Sequence, residues 1–148
     1  MPTLSIYVMV QNEERLIAKT LESVKGLGDE LVIVDGGSTD RTVESCRNDT
    51  DRIYVNPFPG YAKQRKFAMS KVTGDWVLAI DADEPRSEEL RAAIPQLIRQ
   101  EGVDAYEFQR RTYMKPGVWL QHGGWYPDYQ RRLFRRASAA YGDVVHAG

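Results

Sequence analysis

Two aspartates one residue apart close an apolar run: Trp76-Val77-Leu78-Ala79-Ile80 leads directly into Asp81-Ala82-Asp83-Glu84. In extended chain, residues i and i+2 project to the same side. Like charges that close repel unless a cation or a donor offsets them. Two oxygen ligands with open positions suit Mg²⁺ or Mn²⁺, which take few carboxylates plus substrate phosphates. An acidic strand-to-helix turn, ahead of a helix starting near Ser87, accounts for the same residues. The placement recurs along the chain: Asn12-Glu13-Glu14 follows the run from Leu4 to Val10, Asp35-Gly36-Gly37-Ser38 follows Leu31 to Val34, and Asn56 follows Arg52 to Val55. A turn cap explains Asn12, Asp35 or Asn56 taken alone. Together they describe one rim, because ligands of parallel α/β sheets bind at the carboxyl ends of the strands.

Such a rim requires strands and helices in alternation, and residues 1–104 supply them. Leu4–Val10, Leu31–Val34, Arg52–Val55 and Trp76–Ile80 are short apolar runs of the kind that form buried strands. Asn12 stands where an N-cap belongs, ahead of Leu16, Ile17, Leu21 and Val24 at near-helical spacing. Ser38 or Thr39 can cap a helix carrying Val43 and Cys46, and Tyr61 to Val72 reads as a third helix. Leu90, Ala93, Ile94, Leu97 and Ile98 form the apolar face of a fourth, which Pro95 should kink or split. The pattern predicts an α/β fold: a mainly parallel central sheet with helices on both faces, Rossmann-like. From about Ala105 the rhythm changes. Tyr106, Phe108 and Arg110 alternate with Glu107, Gln109 and Arg111, as in a two-sided or edge strand, and Gln130 to Arg136 reads as a further strand. A mixed or antiparallel extension after residue 105 follows, so residues 1–104 are expected to form the ligand-binding core and 105–148 an extension of the same domain.

Composition bounds the function. With 148 residues, 42% hydrophobic and 28% charged, the chain is expected to be globular rather than disordered: one domain, or one domain cut from something longer. No apolar run approaches the roughly 18 residues of a membrane span. Met1-Pro2-Thr3-Leu4 runs straight into a strand-like segment, so no secretory signal is expected. Cys46 is the single cysteine, which leaves no internal disulfide or cysteine-rich zinc site and points to a reducing, cytoplasmic setting. The net charge of −1 hides an asymmetry. Residues 1–104 hold 13 bases against 18 acids, a balance of −5, and residues 105–148 hold 7 against 3, a balance of +4. That basic, aromatic end suits an anionic partner, but the chain is not basic enough for duplex DNA, and no nucleic-acid partner is expected. There is no Gly-x-x-x-x-Gly-Lys-Ser/Thr loop and no Gly-x-Gly-x-x-Gly after the first strand, which sets aside P-loop hydrolases and dinucleotide oxidoreductases.

Taken in order, Val10-Gln11-Asn12-Glu13-Glu14, Val34-Asp35-Gly36-Gly37-Ser38-Thr39-Asp40-Arg41-Thr42, Gly60-Tyr61-Ala62-Lys63-Gln64-Arg65-Lys66-Phe67-Ala68 and Gly74 to Glu84 resemble a family-2 glycosyltransferase with the A-type, nucleotide-sugar-binding fold. His122-Gly123-Gly124-Trp125-Tyr126-Pro127-Asp128 and Arg132-Leu133-Phe134-Arg135-Arg136 resemble its bacterial lipopolysaccharide-core glucosyltransferase branch. The resemblance implies a metal-dependent, inverting transfer of a hexose from a nucleotide diphosphate sugar, UDP-sugar favoured, to a saccharide or lipid-linked acceptor. By position, Asp35 would contact the base, Val10 and Asn12 would line the nucleotide pocket, and Lys63 and Arg65 would face the diphosphate or form a solvated helix face. Asp81 would contact the ribose or a metal-bound water, and Asp83 would ligate Mg²⁺ or Mn²⁺.

The acceptor side is read from the aromatic segment. Asp128 is the candidate catalytic base, with a Pro-Asp turn residue as the alternative; Trp125 and Tyr126 form an acceptor platform or pack under the loop. Arg131, Arg132, Arg135 and Arg136 either meet a phosphorylated acceptor or the inner face of the cytoplasmic membrane, or form a solvated strand face. An exposed strand near residue 130 would offer an edge to a second copy, giving a homodimer. Relatives usually continue for about another hundred residues, and in the lipopolysaccharide branch His is followed by Glu where Ala147 follows His146 here. A truncated nucleotide-binding module without transfer activity is therefore the alternative reading.

Overall fold

The computed structural model describes residues 2–81, 88–107, 119–120 and 131–139. Four parallel strands form one side of its sheet: β1 (Leu4–Val10), β2 (Glu30–Asp35), β3 (Ile53–Val55) and β4 (Trp76–Asp81). Their connections carry α1 (Ile17–Glu22), α2 (Thr42–Cys46) and α3 (Tyr61–Met69), and α4 (Glu88–Leu97) follows β4. Three further strands, β5 (Ala105–Glu107), β6 (Trp119–Leu120) and β7 (Arg131–Arg135), complete the sheet before α5 (Arg136–Ala139). The order across the seven-stranded sheet is β3-β2-β1-β4-β7-β5-β6. β7 is antiparallel to β4, and β5 is antiparallel to both β7 and β6. The expected parallel core and mixed extension are both present.

Alternation along the strands builds two cores. Ile6, Val8 and Val10 of β1 with Ile33, Trp76, Leu78 and Ile80 face Ile17 and Leu21 of α1, Cys46 of α2 and Ile94 of α4. On the other face Tyr7, Val32, Val34 and Val77 meet Ala68 of α3, Val72 and Phe134. Burial of both faces is why these strands read as continuous apolar runs.

The end of the sheet where the parallel strands begin is tied by side chains. The Glu30 carboxylate accepts the Ser5 hydroxyl, the Thr73 N–H at 2.8 Å and the Thr73 hydroxyl, and pairs with Arg52. Arg135 and Arg136 work at this same end. Arg135 donates to the Val103 and Gln100 carbonyls, lies over the Trp76 ring and pairs with Asp104 at 3.6 Å. Arg136 donates to the Gly74 carbonyl at 2.9 Å.

Several expectations are corrected. Asn12 does not cap α1: its φ of 53° turns the chain left-handed, and α1 begins five residues later, after Leu16, without a side-chain cap. Ser38 and Thr39 do not cap α2 either; Asp40 Oδ1 takes the Thr42 N–H at 3.0 Å. Pro95 neither splits nor ends α4, which runs through it to Leu97 because a proline removes only one donor. Of the two-sided and edge alternatives for β5, the edge one falls, since β5 lies between β7 and β6, and Arg136 opens α5 instead of ending β7. β7 is bonded on both sides, so the strand near residue 130 offers no free edge to a second copy.

Candidate functional site

Strand register sets the rim. Val10 pairs with Asp35 and Met9 with Asp81, so the carboxyl ends of β1, β2 and β4 are level. Asp35 and Asp81 flank β1 two strand spacings apart, about 10 Å. The chain order reverses between β1 and β4, and in an open α/β sheet that reversal opens the crevice that receives ligands.

Asp35 is only 1% exposed, and its carboxylate is engaged by its own turn. Oδ2 accepts the N–H groups of Gly37 at 2.9 Å and Ser38 at 2.8 Å, and Oδ1 accepts the Ser38 hydroxyl at 2.6 Å. Gly37, at φ +107°, makes this turn possible, and a Cβ there would meet nothing within 4 Å, so the backbone presents an open face. The loop after β1 docks on it from the other side. Asn12 N donates to Ser38 Oγ at 2.7 Å, and Asn12 Oδ1 accepts the Thr39 N–H at 2.8 Å. Glu13 N donates to Thr42 Oγ1 at 2.8 Å, while Asp40 accepts from Thr42 and from Glu14 N. The Thr42 hydroxyl, foremost among these, holds Asp40 below the usual carboxylate range. Val10 contributes backbone only: its side chain is buried in the core and its carbonyl takes the Gly36 N–H at 2.8 Å. Beneath the turn, burial pushes the Cys46 thiol up to about 12, with the negative charges of Asp35 and Asp49 adding to the effect.

The connection from β3 to α3 closes the rim beyond β2. Asn56 N donates to the Asp35 carbonyl at 2.8 Å and Phe58 N to the Gly36 carbonyl at 3.1 Å. Phe58 and Tyr61 stand edge to face with ring centroids 5.0 Å apart, and they remain 44% and 66% exposed. Lys63 and Arg65 are exposed on α3 on either side of Gln64, which is 1% exposed.

The structure thus brings Asn12, Asp35 and the β4 terminus at Asp81 to one rim, with α3 and its Lys63 and Arg65 following the β3 connection at its side. Asp83, Trp125, Tyr126 and Asp128 lie outside the described residues. Two oxygen donors on a strand end suit a hard divalent cation, and β4 delivers Asp81 to the rim as such a site requires. Among the described residues no cluster of three His, Cys, Asp or Glu side chains forms a metal site by itself. Arg135 and Arg136 are not part of the rim; they donate to carbonyls at the opposite end of the parallel strands. Sequence reasoning missed Ser38 and Thr39 as partners of Asn12, and Gln64 altogether. The sequence places Ser38 on the rim and offers Ser38 or Thr39 as a helix cap, but it carries no sign of their pairing with Asn12, and a glutamine inside a basic helix carries no sign of burial.

Known proteins give the following likenesses. The family model described as glycosyl transferase family 2 matches residues 5–146. An uncharacterized glycosyltransferase of Rickettsia typhi is 40% identical over 106 residues, covering 72% of this chain and 36% of that protein. The lipopolysaccharide core biosynthesis glycosyltransferase LpsC of Rhizobium meliloti is 33% identical over 158 residues, covering 98% of this chain and 56% of LpsC. The chain therefore spans about a third to just over half of the length of these relatives. Among solved structures, glucosyl-3-phosphoglycerate synthase of Mycobacterium tuberculosis with Mn²⁺, UDP-glucose and phosphoglyceric acid superposes with a TM-score of 0.68 at 22% identity, covering 92% of this chain and 57% of that one. The same enzyme with Mg²⁺ and UDP gives a TM-score of 0.60 at 26% identity, covering 74% and 44%.

Proposed function

The chain belongs to glycosyl transferase family 2, and from that premise we propose that it takes a hexose from a nucleotide diphosphate sugar, UDP-sugar favoured, and passes it with inversion to a saccharide or lipid-linked acceptor. The observation that carries the reading is the level rim formed by Asn12, Asp35 and the β4 terminus at the reversal of strand order. A nucleotide lies there with its base toward Asp35 and the turn it organises, and its diphosphate toward Lys63 and Arg65. Support for UDP comes from glucosyl-3-phosphoglycerate synthase, which carries UDP-glucose with Mn²⁺ on a similar fold. Support for a lipopolysaccharide-type acceptor comes from the name of LpsC.

In the transfer, the acceptor hydroxyl oxygen attacks the anomeric carbon from the face opposite the diphosphate while the sugar–phosphate bond breaks. Asp128 takes the hydroxyl proton, and Trp125 and Tyr126 carry the acceptor ring. Asp83, with Asp81, would hold Mg²⁺ or Mn²⁺, which supplies positive charge against the leaving diphosphate. Residues 105–148 serve as the acceptor side of the domain. No described helix is long and apolar enough to cross a membrane, and a cytoplasmic enzyme meeting its lipid-linked acceptor at the inner membrane face fits the reading.

Calorimetry of UDP and UDP-glucose with and without Mn²⁺ tests it. Metal-dependent binding that disappears in Asp83→Ala is the expected result; binding that survives unchanged in that variant overturns the role of Asp83, and no binding of either ligand overturns the UDP pocket. Hydrolysis-corrected transfer from UDP-glucose then separates the enzyme from the second reading, a nucleotide-binding module without transfer. Ala147, which stands where the related branch has Glu, keeps that reading in play.

A further inference from the structure

Gln64 is a polar side chain with 1% exposure in a helix whose Lys63, Arg65 and Lys66 are exposed and whose Ala68 joins the core. Among the described residues its amide has one partner, used twice. Nε2 donates to the Asn56 main-chain carbonyl at 3.0 Å, and Oε1 accepts from Asn56 Nδ2 at 2.7 Å. The carbonyl only accepts, which fixes the orientation of the Gln64 amide and in turn that of Asn56. Asn56 is itself bonded through its N–H to the Asp35 carbonyl, and Phe58, two residues on, to the Gly36 carbonyl. Phe58 Cβ lies close against Gly36, 3.3 Å from where a Cβ on that glycine would stand. A continuous path of hydrogen bonds and packing therefore runs from α3 through Asn56 to the turn that Asp35 organises.

We propose that Gln64 is a positioning residue: with Asn56 it clamps the β3–α3 connection, and the first turns of α3 that carry Lys63 and Arg65, onto the Asp35–Gly36 turn, and so sets the donor site before ligand arrives. The inference rests on the donor-site reading above, but the clamp has a readout of its own. A buried glutamine that merely filled space would be replaced by methionine, of similar volume, without consequence for the connection. A clamp would not.

The experiment compares wild type, Gln64→Met and Asn56→Ala in two measurements: amide hydrogen exchange at Asn56 and Phe58 in the ligand-free protein, and calorimetric affinity for UDP with Mn²⁺. Asn56→Ala alters a partly exposed side chain, so it covers the case in which Gln64→Met does not fold. The expected result is exchange at both amides faster by about tenfold and UDP binding weaker by about tenfold, within reach of losing one or two hydrogen bonds. Gln64→Glu supplies the rescue. Its ionised carboxylate faces the Asn56 carbonyl and repels it, whereas the protonated acid donates to it, so protection relative to wild type recovers as pH falls. Unchanged exchange in the variants overturns the clamp. Faster exchange with unchanged UDP affinity overturns its part in the donor site. A wild type that binds no nucleotide overturns the donor-site reading and the functional half of the inference with it, while the exchange data still decide the clamp.

Discussion

The Ser38 hydroxyl donates to Asp35 Oδ1 at 2.6 Å and accepts the Asn12 N–H at 2.7 Å. One oxygen thus fastens the loop after β1 to the turn after β2. Ser38→Ala leaves Asp35 with the N–H groups of Gly37 and Ser38 but strips one charge-assisted bond from a buried carboxylate and orphans Asn12 N. A loss of about 2 kcal/mol is expected, read from urea denaturation, together with weaker nucleotide binding. Ser38→Thr, which keeps the hydroxyl, should restore most of both; a Ser38→Ala protein as stable as wild type would contradict the account.

Two glycines beside strands, Gly74 just before β4 and Gly36 just after β2, should respond differently to alanine. At Gly74 a Cβ would lie 2.7 Å from Ser5 Oγ, 2.8 Å from Ser5 N and 3.2 Å from the Leu4 carbonyl carbon, so β1 backbone would have to move. Gly74→Ala is expected to cost about 2–3 kcal/mol, the range of core overpacking. At Gly36 the nearest atom is Gln11 Oε1 at 2.9 Å, the far end of an exposed side chain, with Phe58 Cβ at 3.3 Å. Gly36→Ala should therefore fold with a loss under about 1 kcal/mol, yet shift Gln11 and Phe58 enough to disturb the rim. Paired denaturation and UDP-binding measurements check both: stability falls for Gly74→Ala and affinity for Gly36→Ala.

What the sequence discloses here follows the range of the interactions. β1, β2 and β4 are legible because each is an apolar run buried on both faces, and their polar ends at Asn12, Asp35 and Asp81 stand out against it. The partners of those ends are not legible. Asn12 reads as a helix cap because caps are local, whereas its partner is Thr39, 27 residues away. Arg135 and Arg136 read as free cations because charge is visible in a sequence and the carbonyls of Gln100, Val103 and Gly74 are not. Gln64 is hidden for the same reason. The place of β7 beside β4, which denies it a free edge, is likewise a matter of tertiary pairing that periodicity does not encode.

Cys46 gives the fold an alkaline signature. Its thiol ionises near 9.0 ordinarily and is pushed up to about 12 by burial in the folded protein. The unfolded chain therefore loses this proton first, and the native state is favoured fully below pH 9.0 and progressively less from there to about 12. The slope contributed approaches about 1.4 kcal/mol per pH unit within that window. Denaturant midpoints at pH 8 and pH 10.5 should fall further apart in wild type than in Cys46→Ala, a comparison that isolates the thiol from the Tyr106 phenol, whose ionisation burial also raises. At pH 8 a thiol reagent should label Cys46 only as fast as the protein unfolds. Rapid labelling of the native protein would show that the thiol is accessible and refute the assignment.

Glu30 separates stability from binding. Its side chain, 13% exposed, gathers Ser5, Thr73 and Arg52 at the end of the sheet opposite the rim. Arg52 is 38% exposed, so water screens the ion pair and its own share is under about 1 kcal/mol. The larger part comes from the donors: Glu30→Ala leaves the Thr73 N–H and the buried Ser5 hydroxyl short of an acceptor, about 2 kcal/mol in all. Glu30→Gln keeps an acceptor oxygen and should lose roughly half as much, since the charge is gone but a hydrogen bond remains. Neither variant touches the Asp35 turn, so UDP affinity measured below the unfolding transition should match wild type. Equal losses of stability and affinity would mean instead that the two ends of the sheet are coupled through β1 and β2, and the rim could not be treated as a site built by its own loops.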